Sequence, residues 1–179
     1  LDSLEQVKGF DRNAFIEAHH QAVRTSVRFN PKKLFEHTSS SLEVDAEVPW
    51  CSNGYYLKTR PSFTLDPVFH AGGYYVQEAS SMFLEQAIRQ AVNLTEPLKV
   101  LDLCAAPGGK STLIQSLISK DSLLVCNEVI KPRVNILIEN LTKWGADNVV
   151  VTNNDPAHFQ RIPDYFDVIV VDAPCSGSG

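Results

Sequence analysis

Asp102-Leu-Cys-Ala-Ala-Pro-Gly-Gly-Lys-Ser111 follows the apolar run Leu98, Val100, Leu101 and precedes a helical pattern from Thr112 to Leu117. A polar, glycine-bearing loop between a buried-looking strand and a helix is where an open α/β sheet places its ligands. The arrangement recurs at Asp172-Ala-Pro-Cys-Ser-Gly-Ser-Gly179, directly after the run Phe166-Asp-Val-Ile-Val-Val171. Two loops of this kind, each at the carboxyl end of a strand, point to an α/β fold with a parallel sheet.

The segments between and around the loops support that reading. The pattern predicts a helix over 78–92 whose apolar face is Met82, Phe83, Ala87, Ile88 and Ala91, then a strand over 98–104, the loop 105–110 and a helix over 111–119. A strand over 123–127, a helix over 132–144 built on Val134, Leu137, Ile138 and Leu141, and strands over 148–152 and 166–171 follow. Gly145 is a suitable stop for the second of these helices. Short apolar strands alternating with helices imply right-handed crossovers in one parallel sheet.

The front of the chain reads differently. Phe15, Ala18, Ala22 and Val23 fall at helical intervals within 12–27, with Asp11 or Asn13 as a cap, and Asn30-Pro31 looks like the start of a short helix. Strand-like pieces at 42–50 and 55–57 flank the turn Ser52-Asn53-Gly54, and Pro61, Pro67 and Gly72-Gly73 punctuate a linker. The expected organisation is a small α+β module over 1–73 and an α/β domain over 74–179.

Composition bounds the function classes. The 179 residues carry 44% hydrophobic and 21% charged side chains, ordinary for a globular protein. No 18-residue apolar stretch and no basic-then-apolar leader pattern is present, so a membrane span is not expected. Cys51, Cys104, Cys126 and Cys175 form no C-x-x-C pair, and the five histidines do not cluster. That spacing implies a reduced, cytoplasmic framework and no metal site. A net charge of -5 argues weakly against nucleic acid as a partner, although Arg24, Arg28, Lys32 and Lys33 form one basic group and Lys58 with Arg60 another. Such groups are more often solvated surface than binding patches.

Three ligands compete for the first loop. A phosphate loop needs G-x-x-x-x-G-K-[ST]; the chain ends that pattern with Gly109-Lys110-Ser111 but has Cys104 in place of the first glycine. A dinucleotide fingerprint, G-x-G-x-x-G, is lacking. A nucleoside cofactor without a diphosphate, such as S-adenosylmethionine, fits better: Asp102 would repel a pyrophosphate and not a cationic sulfonium. Glu128, just past the second strand, can accept both ribose hydroxyls; Asp155 follows the third strand where an adenine amino group could be met, or else makes an Asx turn before Pro156. Asp172 would face the reacting end.

Cys175 beside Asp172 and Pro174 suits chemistry at a cytosine. C5 of cytosine is not nucleophilic until a thiolate adds at C6, and a carboxylic acid bonded to N3 stabilises that adduct. A serine-hydrolase reading of Ser176 or Ser178 fails, since neither has glycines two residues to each side.

Cys104-Ala-Ala-Pro-Gly-Gly-Lys110, Asp172-Ala-Pro-Cys-Ser-Gly177 and Gln77-Glu-Ala-Ser-Ser-Met82 resemble the signature segments of the RNA cytosine-C5 methyltransferases of the Sun (Fmu) family. Val27-Arg-Phe-Asn30 is similar to that family's Arg-Val-Asn segment, and Val48-Pro-Trp-Cys51 with Gly54-Tyr-Tyr56 resembles its bacterial ribosomal-RNA branch. The resemblance implies a Rossmann-like methyltransferase sheet behind a small module that helps hold RNA. By motif, Cys104, Ala105, Ala106, Pro107, Gly108, Gly109 and Lys110 would wrap the methionine part of S-adenosyl-L-methionine. Glu128 would hold the ribose, Asp155 would lie near adenine, and Asp172 with Cys175 would serve the catalytic end.

One departure matters. In the family the cysteine after Asp-Ala-Pro resembles a release or base-assisting residue, and the attacking cysteine sits in a Thr-Cys segment on the following strand, which 1–179 lacks. DNA cytosine methyltransferases attack instead with a Pro-Cys cysteine, so the chemistry alone leaves Cys175 open between the two roles. The family's sheet has strand order 3-2-1-4-5-7-6, of which the first four strands are expected here. The strand 166–171 would then be an apolar edge, and the chain is expected to be a fragment, or one half of a nicked or partly ordered molecule. The expected partners are ribosomal or other structured RNA and the remaining part of the same protein, with no membrane and no metal. Methylation of an amino group, or a non-enzymatic RNA-binding scaffold, are the competing functions.

Overall fold

A computed structural model of the chain describes residues 2–20, 23–33 and 42–173. Two four-stranded sheets organise it. The first comprises β1 (Ser26–Phe29), β2 (Val44–Glu47), β3 (Gly54–Leu57) and β4 (Tyr74–Val76), antiparallel in the order β2-β3-β1-β4. The second comprises β5 (Lys99–Asp102), β6 (Leu123–Asn127), β7 (Val149–Thr152) and β8 (Val168–Val170), parallel in the order β7-β6-β5-β8. Numbered within the second sheet this is 3-2-1-4, so the chain reverses direction between β5 and β8, and the cleft beyond their carboxyl ends is the topological switch point.

The helices are α1 (Arg12–His20), α2 (Pro67–His70), α3 (Ala79–Met82), α4 (Leu84–Ala91), α5 (Gly109–Leu117) and α6 (Lys131–Trp144). Ile88 of α4, Ile114 of α5 and Leu137 and Leu141 of α6 pack with Val100, Leu124 and Cys126 into one core on a single face of the parallel sheet. A second core, around Val27, Phe29, Leu57 and Tyr74, fills the front module, and a third (Val48, Cys51, Ala79, Met82, Leu113) joins it to α5. On the other face of the parallel sheet Val150 and Ile169 are exposed.

Several expectations need correction. The helical pattern over 12–27 stops at His20, and residues 26–29 form β1, the inner strand between β3 and β4. All four β1 residues are buried, so the strand shows none of the alternation that would mark it. Arg28, grouped by sequence with surface cations, is 2% exposed. The helix over 78–92 is broken at Phe83 into α3 and α4, which resets its phase: Met82 and Ile88 are buried, while Phe83, Ala87 and Ala91 face solvent. In α6 the buried residues are Leu137, Leu141 and Trp144, and Ile138 is exposed. The short helix expected after Asn30-Pro31 falls largely outside the described residues. The proline- and glycine-marked stretch before residue 74 holds a 3₁₀ turn (Phe63–Leu65) and α2, and β4 just past it completes the first sheet.

Candidate functional site

The loop 103–108 connects β5 to α5 and its shape is fixed from several sides. Gly108 has φ +112° and a Cβ there would come 3.3 Å from Leu137, so only glycine suits the turn into α5. The Ala105 N–H donates to the Asn127 carbonyl, at 2.8 Å. Asn140 Nδ2 donates to the Pro107 carbonyl and Arg133 Nη2 to the Ala106 carbonyl, both from α6. The loop is thus held by α6 behind it as well as by the sheet beneath.

Glu128 stands at the end of β6 with its carboxylate 3% exposed. It accepts from the Ile130 N–H at 2.8 Å and the Ala106 N–H at 3.3 Å, and lies 3.5 Å from Arg133. Asp172, just past β8, is paired with Lys110 of α5. This ion pair spans the switch point. On one side lies a hollow lined by Glu128, Val129, Arg133, Cys104, Ala106 and Asp172, of about 270 Å³. On the other, a hollow of about 190 Å³ is lined by the same loop together with Tyr75 of β4, Gln77 and Glu78 just after it, and Ser81 of α3.

Burial and like charge shape the electrostatics here. Asp102, 1% exposed, is pushed up to about 6 by desolvation against the help of a hydrogen bond from Ser111 and the nearby Lys110. Its Oδ2 accepts from Ser111 at 2.6 Å, while Oδ1 has no hydrogen-bond partner among the described residues. The Cys104 thiol is pushed up by burial and then by Asp102, Glu128 and Asp172. Three carboxylates thus face the loop against two cations, Lys110 and Arg133, which leaves its charge balance acidic. The other two described cysteines are also held as thiols by burial, Cys51 at about 11 and Cys126 at about 12. None of the three is poised as a thiolate nucleophile.

The structure brings Cys104 to Lys110, Glu128 and Asp172 into one cleft. It does not bring Asp155 there: this exposed residue caps the 3₁₀ turn Pro156–Arg161, its carboxylate accepting from the Ala157 N–H at 2.8 Å, and it lines neither hollow. Cys175 lies outside the described residues. Among those residues no group of three or more His, Cys, Asp or Glu is placed to hold a metal, and no helix is long and apolar enough to cross a membrane.

Sequence reasoning missed what the front module contributes to the cleft. Arg28 donates through Nε to Gln77 Oε1 (2.9 Å) and through Nη2 to Thr112 Oγ1 (2.6 Å) and the Gly109 carbonyl (3.2 Å), and its guanidinium lies 4.5 Å from the Trp144 ring. Asn30 Nδ2 donates to the Gly72 and Trp144 carbonyls, and Lys33 to those of Ala71 and Lys143. A Cβ on Gly109 would meet the Tyr75 ring at 3.2 Å and Gln77 Nε2 at 3.6 Å, so the front module presses on the first turn of α5. The available signal was the segment from Gln77 to Met82, but the role of the Gln77 side chain is invisible until the two sheets meet.

Comparison with known proteins gives a consistent picture. Residues 89–179 match the family model described as 16S rRNA methyltransferase RsmB/F, and residues 1–79 match the N-terminal domain of 16S rRNA methyltransferase RsmF. The chain is 35% identical over 193 residues to ribosomal RNA small subunit methyltransferase F of Pectobacterium atrosepticum, covering 100% of the chain and 39% of that protein. It is 35% identical over 174 residues to the protein of that name from Vibrio parahaemolyticus, covering 92% of the chain and 36% of the relative. Among solved structures it is similar to a methyltransferase homolog protein from Pyrococcus horikoshii, with TM-score 0.73 and 27% identity, covering 100% of the chain and 64% of the other. The chain thus spans about two fifths of the length of the first of these relatives.

Proposed function

The chain belongs to the RsmB/F family of 16S rRNA methyltransferases, as its resemblance to the Sun (Fmu) enzymes implied, and from that premise we propose that it carries the methyl-donor half of an RNA cytosine-C5 methyltransferase acting on ribosomal RNA in the cytoplasm. The observation that carries the reading is the convergence of Asp102, Glu128 and Asp172 on a glycine-rich strand-to-helix loop, three carboxylates against the two cations Lys110 and Arg133. A diphosphate would be repelled there; a sulfonium would be attracted. The residues present fit S-adenosyl-L-methionine: Glu128 is a preset acceptor for ribose hydroxyls, and Gly108 and Gly109 let backbone approach the ligand. When bound, that cofactor supplies an electrophilic methyl group.

The protein's own part is to make cytosine C5 electron-rich. A cysteine thiolate forms a bond to C6 as N3 takes up a proton from solvent, a carboxylate accepts the N3–H hydrogen bond, and the enamine so formed takes the methyl at C5. A base then removes the C5 proton, the thiolate leaves and N3 returns its proton to solvent, restoring the ring. Asp172, between the two hollows and paired with Lys110, is the group for N3. Cys175 assists release, and the attacking cysteine belongs to the next strand of the family's sheet. The base must leave its stack to reach the cleft, and the front module over 1–73 holds the RNA around it.

RNA carrying 5-fluorocytidine at the target has no C5 proton to lose and traps the adduct. The full-length protein with S-adenosyl-L-methionine is expected to form a complex with that RNA that survives denaturing electrophoresis. Methyl transfer to the RNA without such a complex would favour amino-group methylation, and neither transfer nor cofactor binding would favour a scaffold.

A further inference from the structure

The fold regroups the cations of the front module. Arg28 and Lys33 turn inward, onto Gln77, Thr112 and backbone carbonyls. Arg24, just before β1, instead joins Lys58 and Arg60, just after β3, at one exposed end of the first sheet. Two hollows of about 220 and 250 Å³ lie there, and Val23, Arg24, Thr25 and Arg60 line both. The first is also lined by Val76 and Glu78, which line the cleft beside the cofactor loop as well. The two hollows therefore extend the cleft as one trough across the front module.

Charge and rigidity suit that trough to a phosphate chain. Three cations line it, Arg24, Lys58 and Arg60, against two acids, Glu78 and Asp45, in a chain of net charge -5. Asp45 pairs with Arg24, but both side chains are about half exposed, and such a pair holds so weakly that a phosphate can replace it. The Glu78 carboxylate accepts from Ser80 of α3 at 2.8 Å, and Glu43, joined to Lys58 through the backbone alone, lines neither hollow. Lys58 and Arg60 have no ion-pair partner among the described residues. The Arg24 guanidinium lies 3.9 Å from the centre of the Tyr56 ring, and that of Arg60 5.4 Å from the centre of Phe63. Packing on a ring restrains the guanidinium and leaves the N–H groups at its edge for phosphate oxygens.

We propose that the single-stranded RNA beside the target base leaves the cleft over Val76 and Glu78 and lies along this trough, its phosphates on Arg24, Arg60 and Lys58. The inference rests on the proposed function and deepens it by naming the surface through which the front module holds RNA. A base drawn out of its stack brings its flanking backbone to the rim of the cleft, and this cationic rim adjoins the cleft directly.

The test is binding of labelled small-subunit ribosomal RNA to the full-length protein over a series of salt concentrations. The variants are Lys58→Gln/Arg60→Gln and, as a control, Lys120→Gln, whose exposed lysine precedes β6 at the end of the parallel sheet opposite the cleft. Each phosphate contact to a single strand contributes about 0.7 to the slope of log affinity against log salt. The double variant should therefore flatten the slope by about 1.4 and bind on the order of tenfold more weakly at low salt. Its affinity for S-adenosyl-L-homocysteine in calorimetry should be unchanged, and Lys120→Gln should alter neither slope nor affinity. An unchanged slope in the double variant overturns the proposal. Equal flattening by Lys120→Gln also overturns it, because the attraction would then be diffuse. So does loss of S-adenosyl-L-homocysteine binding in the double variant, which would place the two cations in the support of the cleft. A wild-type protein that neither binds S-adenosyl-L-homocysteine nor methylates RNA is a distinct outcome: it defeats the proposed function, and this inference with it.

Discussion

Asp102→Asn should make the ligand-free protein more stable at alkaline pH and less able to bind its methyl donor. Asp102 is buried at the end of β5, and burial holds its carboxyl at about 6 instead of 3.8. For an acid whose folded value is raised, the folded state binds the proton more tightly than the unfolded chain. The cost of ionisation to the fold is therefore fully present above about 6, shrinks as pH falls, and is gone below 3.8. At full ionisation it amounts to ~3 kcal/mol. Asparagine keeps an oxygen to accept from Ser111, whose hydroxyl lies 2.6 Å from Oδ2, and places an NH₂ where Oδ1 has no partner among the described residues. The charge penalty of ~3 kcal/mol disappears and an unpaired donor costing ~1–3 kcal/mol replaces it, leaving a net gain of up to ~2 kcal/mol at pH 8. Urea unfolding of both proteins at pH 8 and pH 4 measures this: the gain should be clear at pH 8 and absent at pH 4. At ~2–4 °C per kcal/mol the melting temperature should rise by several degrees at pH 8. If the asparagine protein is less stable at pH 8, or its advantage does not shrink on acidification, Asp102 is not a strained anion and the acidic charge balance at the loop loses one of its three carboxylates.

Single contacts carry the remaining predictions. Glu128→Ala should weaken cofactor binding by about tenfold or more in calorimetry, because it removes both the ribose acceptor and the carboxylate that holds the Ala106 N–H. Gly72→Ala should destabilise the protein by ~3 kcal/mol or more in thermal unfolding, since φ is +69° and the added Cβ would lie 2.0 Å from the Lys143 carbonyl oxygen at the contact between front module and α6. Cys104→Ala should still form the 5-fluorocytidine adduct on denaturing gels, because burial and three carboxylates keep that thiol protonated.

The cofactor half of the site was legible because its determinants are local. A strand, a tight turn and a helix are contiguous in sequence, so Gly108, the break at Gly145 and the acid after the second strand could each be read from spacing. The parallel sheet followed from alternation of element types, and its order β7-β6-β5-β8 from the family resemblance. What escaped was long-range. β1 is buried on every residue and carries an arginine, so it matched neither a strand pattern nor a core pattern. Arg28 is tolerated there because Gln77, Thr112 and the Gly109 carbonyl converge on it from positions 49 to 84 residues away. Asp155 before Pro156 fits both an Asx turn and an adenine contact in sequence, and the structure shows the capping bond.

The most direct test of the account is to incubate the full-length protein with small-subunit ribosomal RNA and methyl-labelled S-adenosyl-L-methionine, then digest the RNA to nucleosides and identify the labelled one by mass spectrometry. The account predicts label in 5-methylcytidine, abolished by Asp172→Ala. Label in a methylated adenosine or guanosine, or in protein alone, would contradict it.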